Sequence, residues 1–194
     1  EKLDIKHKVY GSISPHIKND TILSSNTSGI PLNDLINGLP DSLHPRFMIT
    51  HFFNPPRYMR LLELVKGEKT SNNTYNSIAK FGESTLGKGI VHAKDTPNFI
   101  ANRIGVYGML LSIRQAVKMN ISVESVDKLT GTVVGRQKSA TFRTADLVGL
   151  DTLSHVARTS YDRGELDEER DMFIIPDILK TLIESDRLGA KSKA

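Results

Sequence analysis

Residues 46–67 read RFMITHFFNPPRYMRLLELVKG, two apolar, β-favouring runs on either side of Asn54-Pro55-Pro56. Tandem prolines lack the backbone N–H that a central strand needs, so the middle is a connection and the flanking runs are strands. A turn centred on Arg57 leaves His51 and Glu63 six residues away on either side. Antiparallel pairing then sets the two side chains opposite one another, about 5 Å apart at Cβ and on one face. A carboxylate there takes the proton of one imidazole nitrogen and leaves the other as an acceptor, which makes an oriented general base. Spacing alone leaves a second reading open, in which His51 is a partly buried structural residue beside aromatics and Glu63 pairs with Arg60 or Lys66.

Upstream, Leu3, Ile5, Val9, Ile13 and Ile17 include an i, i+4 apolar ladder, so the chain opens in an amphipathic helix ending near Pro15. TILSSN is a short strand running into a Ser/Asn/Thr/Gly mouth, where ligand-contacting loops tend to sit. Residues 31–39 read as a short helix closed by Gly38, and LPDSLHP as loop. Downstream, SNNTYNSIAKFGESTLG is a helix with Ser71 or Asn72 as cap and Gly87 as stop, and GIVHAKD is a strand.

Beyond about Lys94 no strand is expected. Thr96 caps a long helix with Pro97 at its first position, and Phe99, Ile100, Ile104, Met109, Leu110, Ile113 and Val117 recur at mostly helical spacing. Gly105 and Gly108 inside it cost about 1 kcal/mol each relative to Ala, which points to a helix or ligand packed close. Further helices are expected at about 123–133, 145–162 and 172–185, the last interrupted near Pro176. The fold class is α/β (1–94) followed by all-α (95–194).

The chain is 38% hydrophobic and 25% charged, the balance of an ordinary globular protein. Its net charge of +4 is spread without a basic block or interleaved aromatics, which disfavours nucleic acid and suits an anionic, phosphate-bearing ligand. With no cysteine, a disulfide, a thiolate nucleophile and a Cys-based metal site are excluded. A reducing compartment fits, a prokaryotic cytoplasm being expected, with mitochondrion or peroxisome as alternatives. No apolar run approaches the ~18 residues of a membrane span, and the start has no signal-peptide pattern. His44, His92 and His155 lack zinc-ligand spacing, Ser24, Ser25 and Ser28 lack a G-x-S-x-G elbow, and GELDEERD (164–171) reads as a solvated loop and helix start. No metal is expected.

HFFNP followed by a methionine and LLELV resembles the catalytic segment of the L-3-hydroxyacyl-CoA dehydrogenases. SSNTSGI (24–30), DTPNFIANR (95–103) and DLVGLDT (146–152) are similar to other hallmark segments of that family, in the same order. Four ordered motifs across nearly the whole chain form a specific signal. GRQKSATFRTADLVGLDT followed by DEERD resembles the forms fused to enoyl-CoA hydratase more than the short single-function enzymes.

The resemblance implies the C-terminal portion of a Rossmann-type NAD domain (1–94) and a helical domain like that of 6-phosphogluconate dehydrogenase (95–194), for substrate and dimerisation. It implies NAD-dependent oxidation of an L-3-hydroxyacyl-CoA to the 3-oxoacyl-CoA in fatty-acid β-oxidation, by a homodimer, with a hydratase domain as a candidate neighbour in the same polypeptide. By position, His51 is the base and Glu63 orients it and stabilises its cation. Ser28 reaches the substrate oxygen near the nicotinamide, Asn54 sits beside the nicotinamide, and Asn102 polarises the carbonyl. Glu1 and Lys6 contact the cofactor from the last helix of the NAD domain, and Lys191 approaches it from the C-terminal end. Each has an ordinary alternative: a turn-forming serine, an Asn-Pro turn, a solvated helix position, surface charges.

No G-x-G-x-x-G occurs, and in the resembled family that phosphate-cradling turn lies upstream of the segments matched here. The chain therefore resembles a fragment, expected to be inactive alone. A non-catalytic helical dimerisation or docking module that keeps the family fold is the competing hypothesis. Titration of these 194 residues with NADH is expected to show negligible affinity; tight binding would overturn the reading of the missing turn.

Overall fold

Strands and helices alternate through the first half: α1 (Leu3–Ile13), β1 (Leu23–Ser25), α2 (Leu32–Ile36), β2 (Phe47–Phe52), β3 (Leu61–Val65), α3 (Asn72–Ser84) and β4 (Gly89–Ala93). The computed structural model describes residues 2–192. It divides into two compact units, Glu1–Phe99 and Ile100–Ala194.

The first unit is built on a mixed sheet in the order β1-β2-β3-β4, with β1 parallel to β2, β2 antiparallel to β3 and β3 parallel to β4. Phe47, Ile49 and Val65 face one side, where they pack with Tyr10, Leu32, Leu35, Ile36 and Phe99. Met48, Leu62 and Leu64 face the other, against Tyr75, Ile78 and Ala79 of α3. A sheet covered on both faces needs apolar residues at successive positions, which is why β2 and β3 read as runs rather than alternations. Ser71 caps α3, its side chain accepting from the Thr74 N–H at 3.1 Å. Gly87, with φ +63°, supplies the left-handed turn after it.

Two local readings change in this unit. The buried stripe of α1 contains Tyr10, with Leu3 and Ile13 beside it, whereas Ile5 and Val9 of the aliphatic ladder are about half exposed. An aliphatic-only periodicity overlooks the aromatic ring that covers the most area. The segment read as loop at LPDSLHP forms a 3₁₀ turn, Asp41–Arg46.

The second unit comprises α4 (Ala101–Met119), α5 (Val123–Thr130), α6 (Phe142–Val148), α7 (Leu150–Arg163) and α8 (Asp177–Glu184). Val106, Leu110 and Ile113 of α4 pack with Leu150, Leu153 and Ala157 of α7, with Phe173 and with Leu179 of α8. Ile104 and Val117, expected on the same stripe, are exposed.

Thr96 does not cap α4 and Pro97 is not its first residue. Asn98 and Phe99 adopt φ +59° and +53°, a left-handed turn that no α-helix tolerates, and α4 starts at Ala101. Left-handed backbone at a non-glycine costs about 1–3 kcal/mol, here offset by burial of the Phe99 ring in the first unit. The single helix expected at 145–162 is two, broken at Gly149 with φ +93°. A β-carbon on Gly105 would meet no heavy atom within 4 Å among the described residues, so no helix of these residues packs close there, and at Gly108 the nearest is the Arg136 guanidinium at 3.6 Å.

Those spaces give a contrast in stability. Gly105→Ala is expected to raise the unfolding free energy by about 0.5–1 kcal/mol by removing helix-interior backbone entropy. Leu64→Ala, in a fully buried strand position, is expected to lower it by about 2–5 kcal/mol. Urea denaturation of the two variants checks both signs.

Candidate active site

His51 stands opposite Glu63 in the β2–β3 ladder. Nδ1 of His51 lies 2.7 Å from Oε2 of Glu63, with His51 5% exposed and Glu63 wholly buried. A carboxylate accepts only, so the imidazole proton resides on Nδ1 and Nε2 is an acceptor. Nε2 has no hydrogen-bond partner among the described residues. Of the alternative partners for Glu63, Lys66 instead donates to Asn72 Oδ1 at 3.1 Å, and Arg60 is exposed. The side chains of Phe53 and Phe99 flank the imidazole, with ring centroids at 4.5 and 5.4 Å.

The connection between β2 and β3 is an eight-residue loop, 53–60, rather than a tight turn about Arg57. It is held from the α3–β4 turn. Lys88 Nζ donates to the carbonyls of Pro56 and Met59, and the Gly89 N–H donates to Arg60 O at 2.8 Å. Asn54 lies exposed in this loop, after which the Asn54–Pro55 peptide is cis.

β1 and β2 run parallel, and their C-terminal ends lead into SSNTSGI and HFFNP respectively. The polar residues of the first mouth are fastened to the neighbouring strand. Asn26 Oδ1 accepts from the Phe52 N–H at 2.8 Å, and the hydroxyls of Ser24 and Thr50 are 3.0 Å apart. Ser28 is half-buried in the bend that follows, and Lys6 of α1 donates to Ser25 Oγ at 3.3 Å. Asp95, at the start of DTPNFIANR, caps α2 by accepting from the Leu32 N–H at 2.9 Å.

Thus His51, Glu63, Ser28, Asn54 and Lys6 all belong to the first unit. Asn102, in the first turn of α4 and half-buried, and Lys191 belong to the second. Lys191 is ion-paired with Asp151. Glu1 lies outside the described residues. Asn26 and Lys88 were not singled out from sequence, and Phe99 was read as part of the long helix, which it precedes. A Pro-Asn pair was a usable sign for Phe99, because Asn tolerates left-handed backbone better than most residues; nothing comparable marks Lys88.

Two of the other histidines make structural contacts, while His155 is exposed. Buried His44 lies with Nε2 3.0 Å from Ile36 O and 3.1 Å from Leu39 O, and His92 contacts the hydroxyl of Tyr75. Among the described residues no three His, Asp or Glu side chains are grouped to hold a metal ion, and no helix is long and apolar enough to cross a membrane.

Residues 1–96 match the family model described as 3-hydroxyacyl-CoA dehydrogenase, NAD binding domain, and residues 99–194 match the C-terminal domain of the same family. The fold accordingly combines a Rossmann-like NAD-binding portion on a mixed sheet with a helical C-terminal domain. The chain belongs to the 3-hydroxyacyl-CoA dehydrogenase family. A Bacillus subtilis protein named probable 3-hydroxyacyl-CoA dehydrogenase is 46% identical over 192 residues, covering 99% of this chain and 24% of that protein. A Rickettsia felis protein named putative fatty acid oxidation complex trifunctional enzyme is 37% identical over 194 residues, covering 100% of this chain and 27% of that protein. The crystal structure of (S)-3-hydroxybutyryl-CoA dehydrogenase PaaH1 from Ralstonia eutropha is similar with a TM-score of 0.85 and 26% identity, covering 99% of this chain and 65% of that one. The chain thus spans about a quarter of the length of these two curated relatives.

The Lys191 ammonium hydrogen-bonded to Asp151 holds that carboxyl below the usual aspartate range. A depressed folded-state value stabilises the fold above the ordinary range near about pH 4, and the contribution disappears as pH falls through the lowered value. Both side chains are nearly half exposed, so the gain is about 0–1 kcal/mol. In a carbon-detected NMR titration, the Asp151 midpoint is expected to rise towards the ordinary range in Lys191→Ala.

Proposed function

We propose that the protein oxidises an L-3-hydroxyacyl-CoA to the 3-oxoacyl thioester, with His51 as the general base. The observation that supports this most is the buried His51–Glu63 hydrogen bond, which commits the proton to Nδ1 and keeps Nε2 as a proton acceptor. Nε2 takes the proton of the 3-hydroxyl as that oxygen becomes a ketone; in the reverse direction the imidazolium returns it. Glu63 keeps the ring in the productive tautomer and offsets the charge it gains, as the carboxylate does in a catalytic triad.

The polar groups at the mouths of β1 and β2 suit a dinucleotide: a lysine ammonium for phosphate, and a serine hydroxyl and an exposed asparagine amide for neutral hydrogen bonds. Lys6, Ser28 and Asn54 would hold it there. NAD held there would supply the acceptor for the hydride that leaves C3. Asn102 is assigned the substrate carbonyl, Lys191 and Glu1 the cofactor, on the motif match. The Rickettsia relative's name prints fatty acid oxidation, of which we infer the β-oxidation form as the setting, and a homodimer is the assembly we infer from the family.

The test is acetoacetyl-CoA-dependent oxidation of NADH by the full-length polypeptide. His51→Gln is expected to lower kcat by about 10²–10⁴-fold, the usual worth of a positioned acid–base group. Glu63→Gln, which keeps the shape and loses the charge, is expected to lower kcat in the same direction. Absence of turnover in the unsubstituted protein would favour a docking module, and undiminished turnover in His51→Gln would remove the base.

A further inference from the structure

The bond to Glu63 holds one atom of the His51 ring, and a single hydrogen bond leaves a flat ring able to tilt about the donor–acceptor axis. Two aromatic rings close that freedom. Phe53 lies 4.5 Å from the imidazole centroid with planes at 60°, and Phe99 lies at 5.4 Å with planes at 59°. Phe53 follows β2 directly and is carried there by the strand. Phe99 is brought from the far end of the unit, after β4.

It arrives by a costly route. The local sequence Thr96-Pro97 favours a helix start, yet the chain makes a left-handed turn through both Asn98 and Phe99. Asparagine tolerates such backbone; phenylalanine rarely adopts it. Backbone strain of this kind persists only where the surroundings over-determine it, and it clusters at functional sites. Here both residues are buried, Asn98 to 2% and Phe99 to 3% exposure. The Phe99 N–H closes the turn on Thr96 O at 3.0 Å, and neighbouring Asp95 is tied to the start of α2. What the turn delivers is one ring, packed into the core of the unit and laid against the imidazole.

We propose that Phe99 is a positioning residue that fixes the plane of the His51 imidazole and so the direction of Nε2. This rests on the reading of His51 as the base, and it adds a residue outside the hydrogen-bonded pair to the machinery that aims the proton acceptor. A misaimed acceptor costs rate rather than affinity, because alignment is needed most as the proton moves.

The experiment compares Phe99→Leu with the unsubstituted full-length polypeptide in acetoacetyl-CoA-dependent NADH oxidation. Leucine keeps most of the apolar bulk and loses the flat ring. The expected result is a fall in kcat of about tenfold or more with KM for acetoacetyl-CoA changed less than about twofold. Imidazole ¹⁵N spectra are expected to show one set of His51 resonances in the unsubstituted protein and broadened or doubled ones in Phe99→Leu. Unchanged kcat in Phe99→Leu, or a rise in KM that accounts for the whole loss, would overturn the inference. If Phe99→Leu does not fold, contacts between the His51 and Phe99 ring protons in the unsubstituted protein decide it, their absence being the contrary result. His51→Gln separates the two claims: if it abolishes turnover while Phe99→Leu is silent, the positioning role alone fails, and if it leaves turnover intact the base itself fails.

Discussion

A carboxylate with no exposure to water needs a partner, and in the first unit Glu63 finds it across a strand pair in the ring of His51. That need constrains the sheet around it. Because side chains alternate along a strand, a slip of one residue between β2 and β3 would send Glu63 to the face opposite His51, into the apolar layer against α3. The same register sets Ile49 against Val65 on the face covered by α1 and α2, while Met48, Leu62 and Leu64 meet α3. Polar pairing and apolar packing thus specify one alignment, and each penalises the alternatives to the other.

The segments around this pair are fastened by side chains that act over long stretches of sequence. Asn26 accepts the backbone proton of Phe52, Asp95 caps α2, and Lys88 holds the 53–60 loop by two carbonyls. The first of these bonds joins two family motifs, SSNTSGI and HFFNP; the others fasten the start of DTPNFIANR to α2 and the loop after HFFNP to the α3–β4 turn. Asn26 thereby helps to set where the chain after His51 goes. Preorganisation of this kind is what a proton acceptor needs, since alignment paid for in folding is not paid again during reaction.

The helical unit follows a different logic. Its core is a stripe of α4 packed with α7 and α8, and its polar contacts are mostly arginines closing the segment between α7 and α8. Arg103 pairs with Asp167, Arg114 donates to Ile174 O, and Arg170 donates to Tyr161 O at 2.6 Å while lying over its ring. The acidic run GELDEERD is thereby engaged within the unit through Asp167, which is more than the solvated loop that its composition suggests.

Sequence by itself determined the class of the fold, the antiparallel placement of His51 opposite Glu63, the cap at Ser71 and the change from mixed to helical structure after β4. These depend on spacing and on the identity of a few residues, because strand pairing has period two and helix starts have local chemistry. It also carried the family, through four short motifs in order. Tertiary structure alone decided where α4 begins, where α6 parts from α7, and which rings confine the imidazole. The helix signal at Thr96-Pro97 is local and weak, and it yields to burial of Phe99 in a core assembled from residues far away in sequence. Likewise the loop after His51 is shaped by a lysine from the α3–β4 turn, a contact between distant segments that no periodicity encodes.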